Sequence, residues 1–271
     1  MKRETLYSKN EADFLSEREN ELSYDKEKMD VILDNIGEIE SFLEIGCGSG
    51  QIIKEVVKKV PYVVGVDESP DRIKIAKTNC KEAEFLVAKS DELDYIEVFD
   101  VVLTSQMLHE VKMFGNPEEI VNALAVVYRA LKPDGKYLLL DHRDPGEGSL
   151  EVSLKAKTKK LYLEFCKNFR KRQVYFRKLD EGRYEISKRD YQDFVTKFWS
   201  LNTPMEEIEM NETHASFSKA EAEKLVQKAG FTVNKFVTFT YINESLTFNK
   251  ITLEPKYRPW NRKFLLVARK Y

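Results

Sequence analysis

The sequence predicts an α/β protein, a mostly parallel sheet covered by helices on both faces. Short apolar runs of strand length recur without polar alternation, as buried parallel strands do. Helical spacing resumes between them, which is the strand-helix rhythm of a parallel sheet. A glycine-rich loop, Gly46-Cys47-Gly48-Ser49-Gly50, joins the first such run to the helical spacing that follows it.

Residues 1–25 read as a polar, helix-prone arm with scattered aromatics, Tyr7, Phe14 and Tyr24. From Asp25 the spacing of Met29, Ile32, Leu33 and Ile36 is helical, and Gly37 stands where a C-terminal stop belongs. Ser41 to Ile45 is the first strand, and Ile52, Ile53, Val56 and Val57 resume a helix after the loop. Tyr62 to Val66 is the second strand, ending at Asp67; Ser69-Pro70-Asp71 then opens a helix, with proline in its first turn. Glu84 to Val87 is the third strand and Phe99 to Leu103 the fourth. A long helix ending at Leu131-Lys132-Pro133-Asp134-Gly135 leads into the fifth, Lys136 to Asp141.

The rhythm then breaks. Residues 142–150 form a loop bearing Gly and Pro, and 151 to about 200 read as helical and strongly charged. Ser218 and Glu221 carry the Ser-x-x-Glu logic of a helix start; that helix runs to Ala229-Gly230, Phe231-Thr232-Val233 opens a sixth strand, and Phe264 to Ala268 is the last. There is no internal repeat. The expectation is one domain over 1–271, with an N-terminal arm at 1–30 and a helical, lid-like insertion at 142–215 after strand five.

Composition bounds the function classes. The 271 residues are 42% hydrophobic and 33% charged, with 44 basic against 46 acidic side chains and a net charge of −2. Eleven Gly, eight Pro and 11% aromatics exclude collagen-like and disordered chains. Apolar stretches such as Tyr137-Leu138-Leu139-Leu140 fall far below the roughly 20 residues of a membrane span. Met1-Lys2-Arg3-Glu4-Thr5 opens no apolar run, so a cytoplasmic protein is expected. Cys47, Cys80 and Cys166 form no C-x-x-C pair, which argues against a disulfide framework and a zinc site.

A glycine loop between a strand and a helix lets backbone amides and the positive helix end approach a ligand. The dinucleotide fingerprint G-x-G-x-x-G fails here, because its third glycine position holds Gln51. The spacing is G-x-G-x-G, with the acid Glu44 two residues ahead. The run Glu44-Ile45-Gly46-Cys47-Gly48-Ser49-Gly50 resembles the first motif of the class I S-adenosylmethionine-dependent methyltransferases. Asp67, at the end of the second strand, stands where that family places an acid on the ribose hydroxyls. Residues 99–110 and the turn Ala130 to Gly135 resemble the subgroup that includes ubiquinone- and menaquinone-biosynthesis methyltransferases. The likeness spans residues 30 to 141 and the stretch from Ser218 to Gly230.

The resemblance implies a Rossmann-like, doubly wound seven-stranded sheet, mostly parallel with its last strand antiparallel. It implies S-adenosyl-L-methionine as cofactor and S-adenosyl-L-homocysteine as product. The cofactor residues carried over are Glu44, Gly46, Cys47 and Gly48 in the first motif and Asp67 and Glu68 after strand two. Ser90 and Asp91 follow strand three; Ser105 and Gln106 follow strand four. Lys89 occupies the position where the family often has the acid that meets adenine, so Ser90 and Asp91 are both candidates for that contact. Cys47 reads as a small loop residue that offers its backbone amide.

Methyl transfer from a sulfonium is an in-line displacement, so the protein has mainly to align the acceptor and exclude water; a base helps where the nucleophile is protonated. In an open α/β sheet ligands lie beyond the carboxyl ends of the strands. That nominates Gln106, His109 and Glu110 after strand four, and Asp141, His142 and Arg143 after strand five. His109 is the first choice of base, with Asp141 and His142 as pocket or substrate-binding residues. The family's amino-methylating Asn/Asp-Pro-Pro-aromatic run is replaced by Thr104-Ser105-Gln106-Met107, and no cysteine stands near strand four or five for cytosine-C5 chemistry.

Between Lys155 and Lys178 ten bases face one acid, Glu164. Tyr162, Phe165, Phe169, Tyr175 and Phe176 are interleaved with them, the combination a single-stranded nucleic-acid platform needs. The same residues also fit a lid, in which Leu154, Leu161, Phe165 and Phe169 form a buried stripe and the lysines a solvated face. The stretch Thr240 to Trp260, with Tyr241, Phe248, Tyr257 and Trp260, fits a further wall of the acceptor site or an association surface. The function expected is methyl transfer to a small molecule under a lid. RNA methylation through 155–178, or cofactor binding without transfer, are the alternatives.

Overall fold

A computed structural model describes residues 7–21, 26–174, 176–180, 182–239, 253–255 and 261–271. Tyr24, Tyr175, Tyr241, Phe248, Tyr257 and Trp260 lie outside the described residues. The chain divides into two compact units: Met1–Asp141 with Lys219–Phe239 and Lys263–Tyr271, and His142–Ser218 with Thr240–Arg262.

The first unit opens with α1 (Lys9–Glu21) and α2 (Lys26–Ile36). Ser8 and Glu11 cap α1 reciprocally: the Ser8 hydroxyl accepts from the Glu11 amide at 3.4 Å and the Glu11 carboxylate from the Ser8 amide at 2.5 Å. Gly37, with φ +72°, ends α2 as its position predicts. Next come β1 (Ser41–Ile45), α3 (Ile53–Val56), β2 (Tyr62–Asp67), α4 (Pro70–Asn79), β3 (Glu84–Val87) and β4 (Phe99–Ser105). Ser69 caps α4, with Pro70 at its first position. Helices α5 (Leu108–Phe114) and α6 (Pro117–Ala130) precede β5 (Leu131–His142). Strand five thus starts earlier than the predicted Lys136. A register shift between Phe99 and Val101 absorbs the Pro133-Asp134-Gly135 turn, where Asp134 has φ +60°.

The insertion contains β6 (Ser149–Leu154), α7 (Ala156–Asn168), β7 (Phe176–Asp180), β8 (Arg183–Ser187), α8 (Lys188–Lys197) and α9 (Glu206–Met210). The chain then returns to the first unit with α10 (Lys219–Lys228) and β9 (Thr232–Phe239), adds β10 (Leu253–Pro255) to the second, and closes on β11 (Lys263–Arg269).

The main sheet has seven strands in the order β3-β2-β1-β4-β5-β11-β9. Strands β1 to β5 pair in parallel, and β11 runs antiparallel to β9. All five residues of β1 are buried. Successive strand residues point to opposite faces, so both faces of the sheet centre are covered. The strand order reverses between β1 and β4, which makes their carboxyl ends the natural crevice.

The helical expectation for the insertion is corrected. Strands β6, β7, β8 and β10 form a four-stranded sheet, order β10-β6-β8-β7, whose pairs are antiparallel. In β6, Leu150, Val152 and Leu154 alternate with polar residues, and in β8 Tyr184 and Ile186 do the same. This two-residue period is the signature of a half-buried strand, and the density of charges obscured it. Gly182, at φ +78°, turns β7 into β8. Residues Val152, Leu154, Tyr162, Phe165, Tyr184, Tyr191 and Phe194 belong to a core of the insertion's own.

That core carries buried charge. Lys197 is fully buried, with its ammonium 2.7 Å from Glu209 and 2.9 Å from Glu212. His214 meets Glu212 at 3.0 Å. Asp193, also fully buried, accepts from the Arg172 guanidinium, the Thr213 hydroxyl and the His214 amide. Glu209, Glu212 and His214 offer ligand atoms within 4.8 Å of one another, and the Lys197 ammonium supplies the positive charge among them.

Candidate active site

The carboxyl end of β1 turns through three glycines in the left-handed region, Gly46 (φ +79°), Gly48 (φ +54°) and Gly50 (φ +78°). Side chains are strained there. A Cβ on Gly46 would press on Met107 at 3.0 Å, and one on Gly48 would displace the Arg72 guanidinium that lies against it. The loop is pinned from below: the Gly46 and Cys47 amides donate to the Val66 carbonyl at 2.7 and 2.9 Å. Asp67, at the end of β2, accepts from the Gly48 amide at 2.8 Å and from the Ser69 amide at 3.0 Å. An ionised carboxylate has about four acceptor sites, so two remain.

Glu44 is buried within β1, in register with Gly65 and Leu103. Burial, and then the charges of Glu44 and Asp67, hold the Cys47 thiol well above its ordinary pKa. Cys47 therefore stays protonated and is no nucleophile. Glu68 and Ser90 are half-buried, while Asp91 and Lys89 are exposed. The chain after β3 is drawn beside Asp67, whose carbonyl accepts from the Ala88 amide at 3.2 Å.

Beyond β4, the Ser105 hydroxyl is buried with no hydrogen-bond partner among the described residues. Gln106 adopts φ +55°, a conformation rare for non-glycine residues, and its amide donates to the Leu140 carbonyl at 2.8 Å. This turn feeds α5 and sets His109 against Asp141. The fully buried Asp141 carboxylate accepts from the His109 amide at 3.1 Å and lies 2.7 Å from Nδ1. The two contacts hold the imidazole in one orientation at the carboxyl ends of β4 and β5. His142 is placed differently, stacked on His214 within the second unit at 3.7 Å between ring centroids.

Sequence reasoning missed Arg72, Tyr7 and the function of Glu110. Arg72 lies on the glycine loop and 5.9 Å from the Tyr7 ring centroid, and the Tyr7 hydroxyl donates to Glu110. The capping box at Ser8 and Glu11 was the signal that α1 begins right after Tyr7.

A strand-loop-helix glycine cradle with an acid at the next strand end is thus present in geometry as well as in spacing. Residues 43–139 match the family model described as a methyltransferase domain. This segment is similar to that domain family. An uncharacterised methyltransferase of Synechocystis sp. is 33% identical over 107 residues, covering 39% of this chain and 49% of the relative. A tRNA N(3)-methylcytidine methyltransferase of Schizosaccharomyces pombe is 29% identical over 171 residues, 59% of this chain and 53% of the relative. The chain spans about half the length of these curated relatives. The fold is that of solved S-adenosylmethionine-dependent methyltransferases: one from Mesorhizobium loti aligns with a TM-score of 0.56 at 17% identity, covering 90% of this chain and 96% of its own.

The residues at the carboxyl ends of β1, β2 and β4 fit S-adenosylmethionine. Asp67 has acceptor capacity beyond its two amide bonds, and the buried Ser105 hydroxyl has no partner among the described residues; both suit a ligand that carries hydroxyls and an amine. No described helix is long and apolar enough to cross a membrane.

Proposed function

We propose that the chain transfers a methyl group from S-adenosylmethionine to a protonated oxygen or nitrogen of a small molecule, with His109 as general base. The observation that carries this reading is the buried His109–Asp141 pair, in which the carboxylate lies 2.7 Å from Nδ1 and orients the ring. The cofactor, when bound, supplies an electrophilic methyl on its sulfonium sulfur. Gly46, Cys47, Gly48, Glu44 and Ser105 hold its amino-acid portion, and Asp67 accepts from the ribose hydroxyls. Glu68, Ser90, Asp91 and Gln106 complete the proposed set. His109 takes the acceptor's proton as the nucleophile engages the methyl carbon, and Asp141 stabilises the imidazolium and fixes its tautomer. His142 is proposed to shape the acceptor side.

Burial of Tyr162, Phe165 and Phe169 supports a small acceptor, because those rings are then unavailable as stacking platforms. In the experiment that tests this, the protein is incubated with methyl-labelled S-adenosylmethionine and fractionated metabolites. Label should enter small molecules, and His109→Gln should cut kcat about 10²- to 10³-fold at unchanged cofactor affinity. Wild-type turnover by His109→Gln would remove the base.

A second reading, RNA as acceptor, is favoured by Lys157, Lys160, Lys167, Arg170 and Lys171. All five are exposed and form no side-chain hydrogen bond or ion pair among the described residues. The fission-yeast relative that acts on tRNA also aligns over 171 residues, more than the matched segment contains. Salt-dependent retention of tRNA, lost when the five cations are reversed, would support it.

A further inference from the structure

We infer that Tyr7 and the helix it precedes form a strap across the cofactor cradle, with Tyr7 as its fastening. The inference rests on reading that cradle as the S-adenosylmethionine site. Three contacts within the first unit carry it. The Tyr7 hydroxyl donates to the Glu110 carboxylate on α5. The Arg72 guanidinium, on α4, stands 5.9 Å from the centroid of the Tyr7 ring. That same guanidinium lies against Gly48, in the space a Cβ there would take.

The topology turns these contacts into a bridge. Helix α4 follows β2 and α5 follows β4, and β1 lies between those two strands in the sheet. A side chain touching both helices therefore spans the carboxyl end of β1, where the glycine loop begins. Helix α1 packs along α4, and its buried positions include the small residues Ala12 and Ser16, which allow close approach.

The fastening is chemically specific. A phenol donating to an ionised carboxylate is a charge-assisted bond, and a guanidinium beside an aromatic ring adds a cation–π contact. Both exist only while the strap is down. Glu110 directly follows His109 on α5, so the strap also ties the arm to the helix that carries the proposed base. Tyr7 is a positioning residue: it sets how long the cofactor stays beneath the arm and touches no proton of the acceptor.

The test is the dissociation rate of radiolabelled S-adenosylmethionine chased with excess S-adenosylhomocysteine, together with hydrogen exchange of the α1 amides. Tyr7→Phe removes only the hydroxyl and should speed dissociation about 3- to 10-fold; Tyr7→Ala removes the ring as well and should speed it about 10- to 50-fold. Protection of α1 by S-adenosylhomocysteine should appear in the wild type and vanish in Tyr7→Ala. Label that binds normally but leaves both variants within about two-fold of the wild-type rate overturns the strap and leaves the cradle standing. Failure of the wild type to retain label overturns the cradle reading itself.

Discussion

The seven-stranded unit and the insertion solve the same problem of burial in opposite ways. The sheet unit buries apolar residues almost without exception along β1, β2, β4 and β11; of its buried acids, Glu44, Asp67 and Asp141 stand at or near strand ends, and Glu11 caps α1. The insertion, rich in charge, builds a smaller aromatic core and buries ion pairs beside it. The buried acids at the strand ends are the ones proposed to serve cofactor and acceptor, whereas those of the insertion sit in closed ion-pair clusters. The difference is one of partners. Asp67 is satisfied by backbone amides with acceptor capacity to spare, whereas Asp193 is enclosed by Arg172, Thr213 and His214.

The sharpest way to break this contrast is Lys197→Met. It strips the ammonium from Glu209 and Glu212 and leaves two buried carboxylates facing each other. A loss of about 3–5 kcal/mol in denaturant unfolding is expected. Glu209, Glu212 and Asp193 favour the Lys197 charge more than burial opposes it, so its pKa is raised. The stability this cluster contributes is then full below the ordinary lysine range and is lost as pH rises through the higher folded value. Thermal unfolding followed from pH 8 to 11 checks the direction.

Asp67→Ala comes next and tests the opposite claim for the sheet unit. It releases the Gly48 and Ser69 amides and removes the proposed ribose acceptor. Calorimetry should show about 10- to 100-fold weaker S-adenosylhomocysteine binding, with a loss of about 1–3 kcal/mol in stability from the two amides left without an acceptor. Loss of stability with binding unchanged would make Asp67 structural, like Asp193.

Smaller effects sharpen the comparison further. Asn116, which caps α6 by accepting from the Glu118 and Glu119 amides at 2.9 and 3.0 Å, and Ser187, which caps α8 by accepting from Asp190 at 3.0 Å, should each cost about 1 kcal/mol when changed to Ala. Hydrogen exchange should localise the first loss to the sheet unit and the second to the insertion, because each has its own core. Cys47, held protonated, should resist alkylation at pH 8 until the protein is unfolded.

Much of the sheet unit was legible in advance. Glycine at 37, 46, 48 and 50 and proline at 70 each fixed a boundary because few residues tolerate those backbone angles. The apolar runs at 41–45, 62–66 and 99–103 had only one environment open to them. The insertion was less legible: β6 and β8 announce themselves by alternation over five or six residues, too short a signal to outweigh the charge around it. The aromatics interleaved with the basic block looked available to a ligand, yet Tyr162, Phe165 and Phe169 face inward.

The sequence by itself determined the α/β class, the glycine cradle and the acid that follows it, because these depend on local backbone geometry and on spacing within one strand-loop-helix unit. Only the tertiary structure decided that Asp141 holds Nδ1 of His109, that Lys197 sits between two glutamates, and that Tyr7 reaches Arg72 and Glu110. Those pairs are separated by 12 to 103 positions, and no local preference encodes a contact between side chains that meet only when the chain closes on itself.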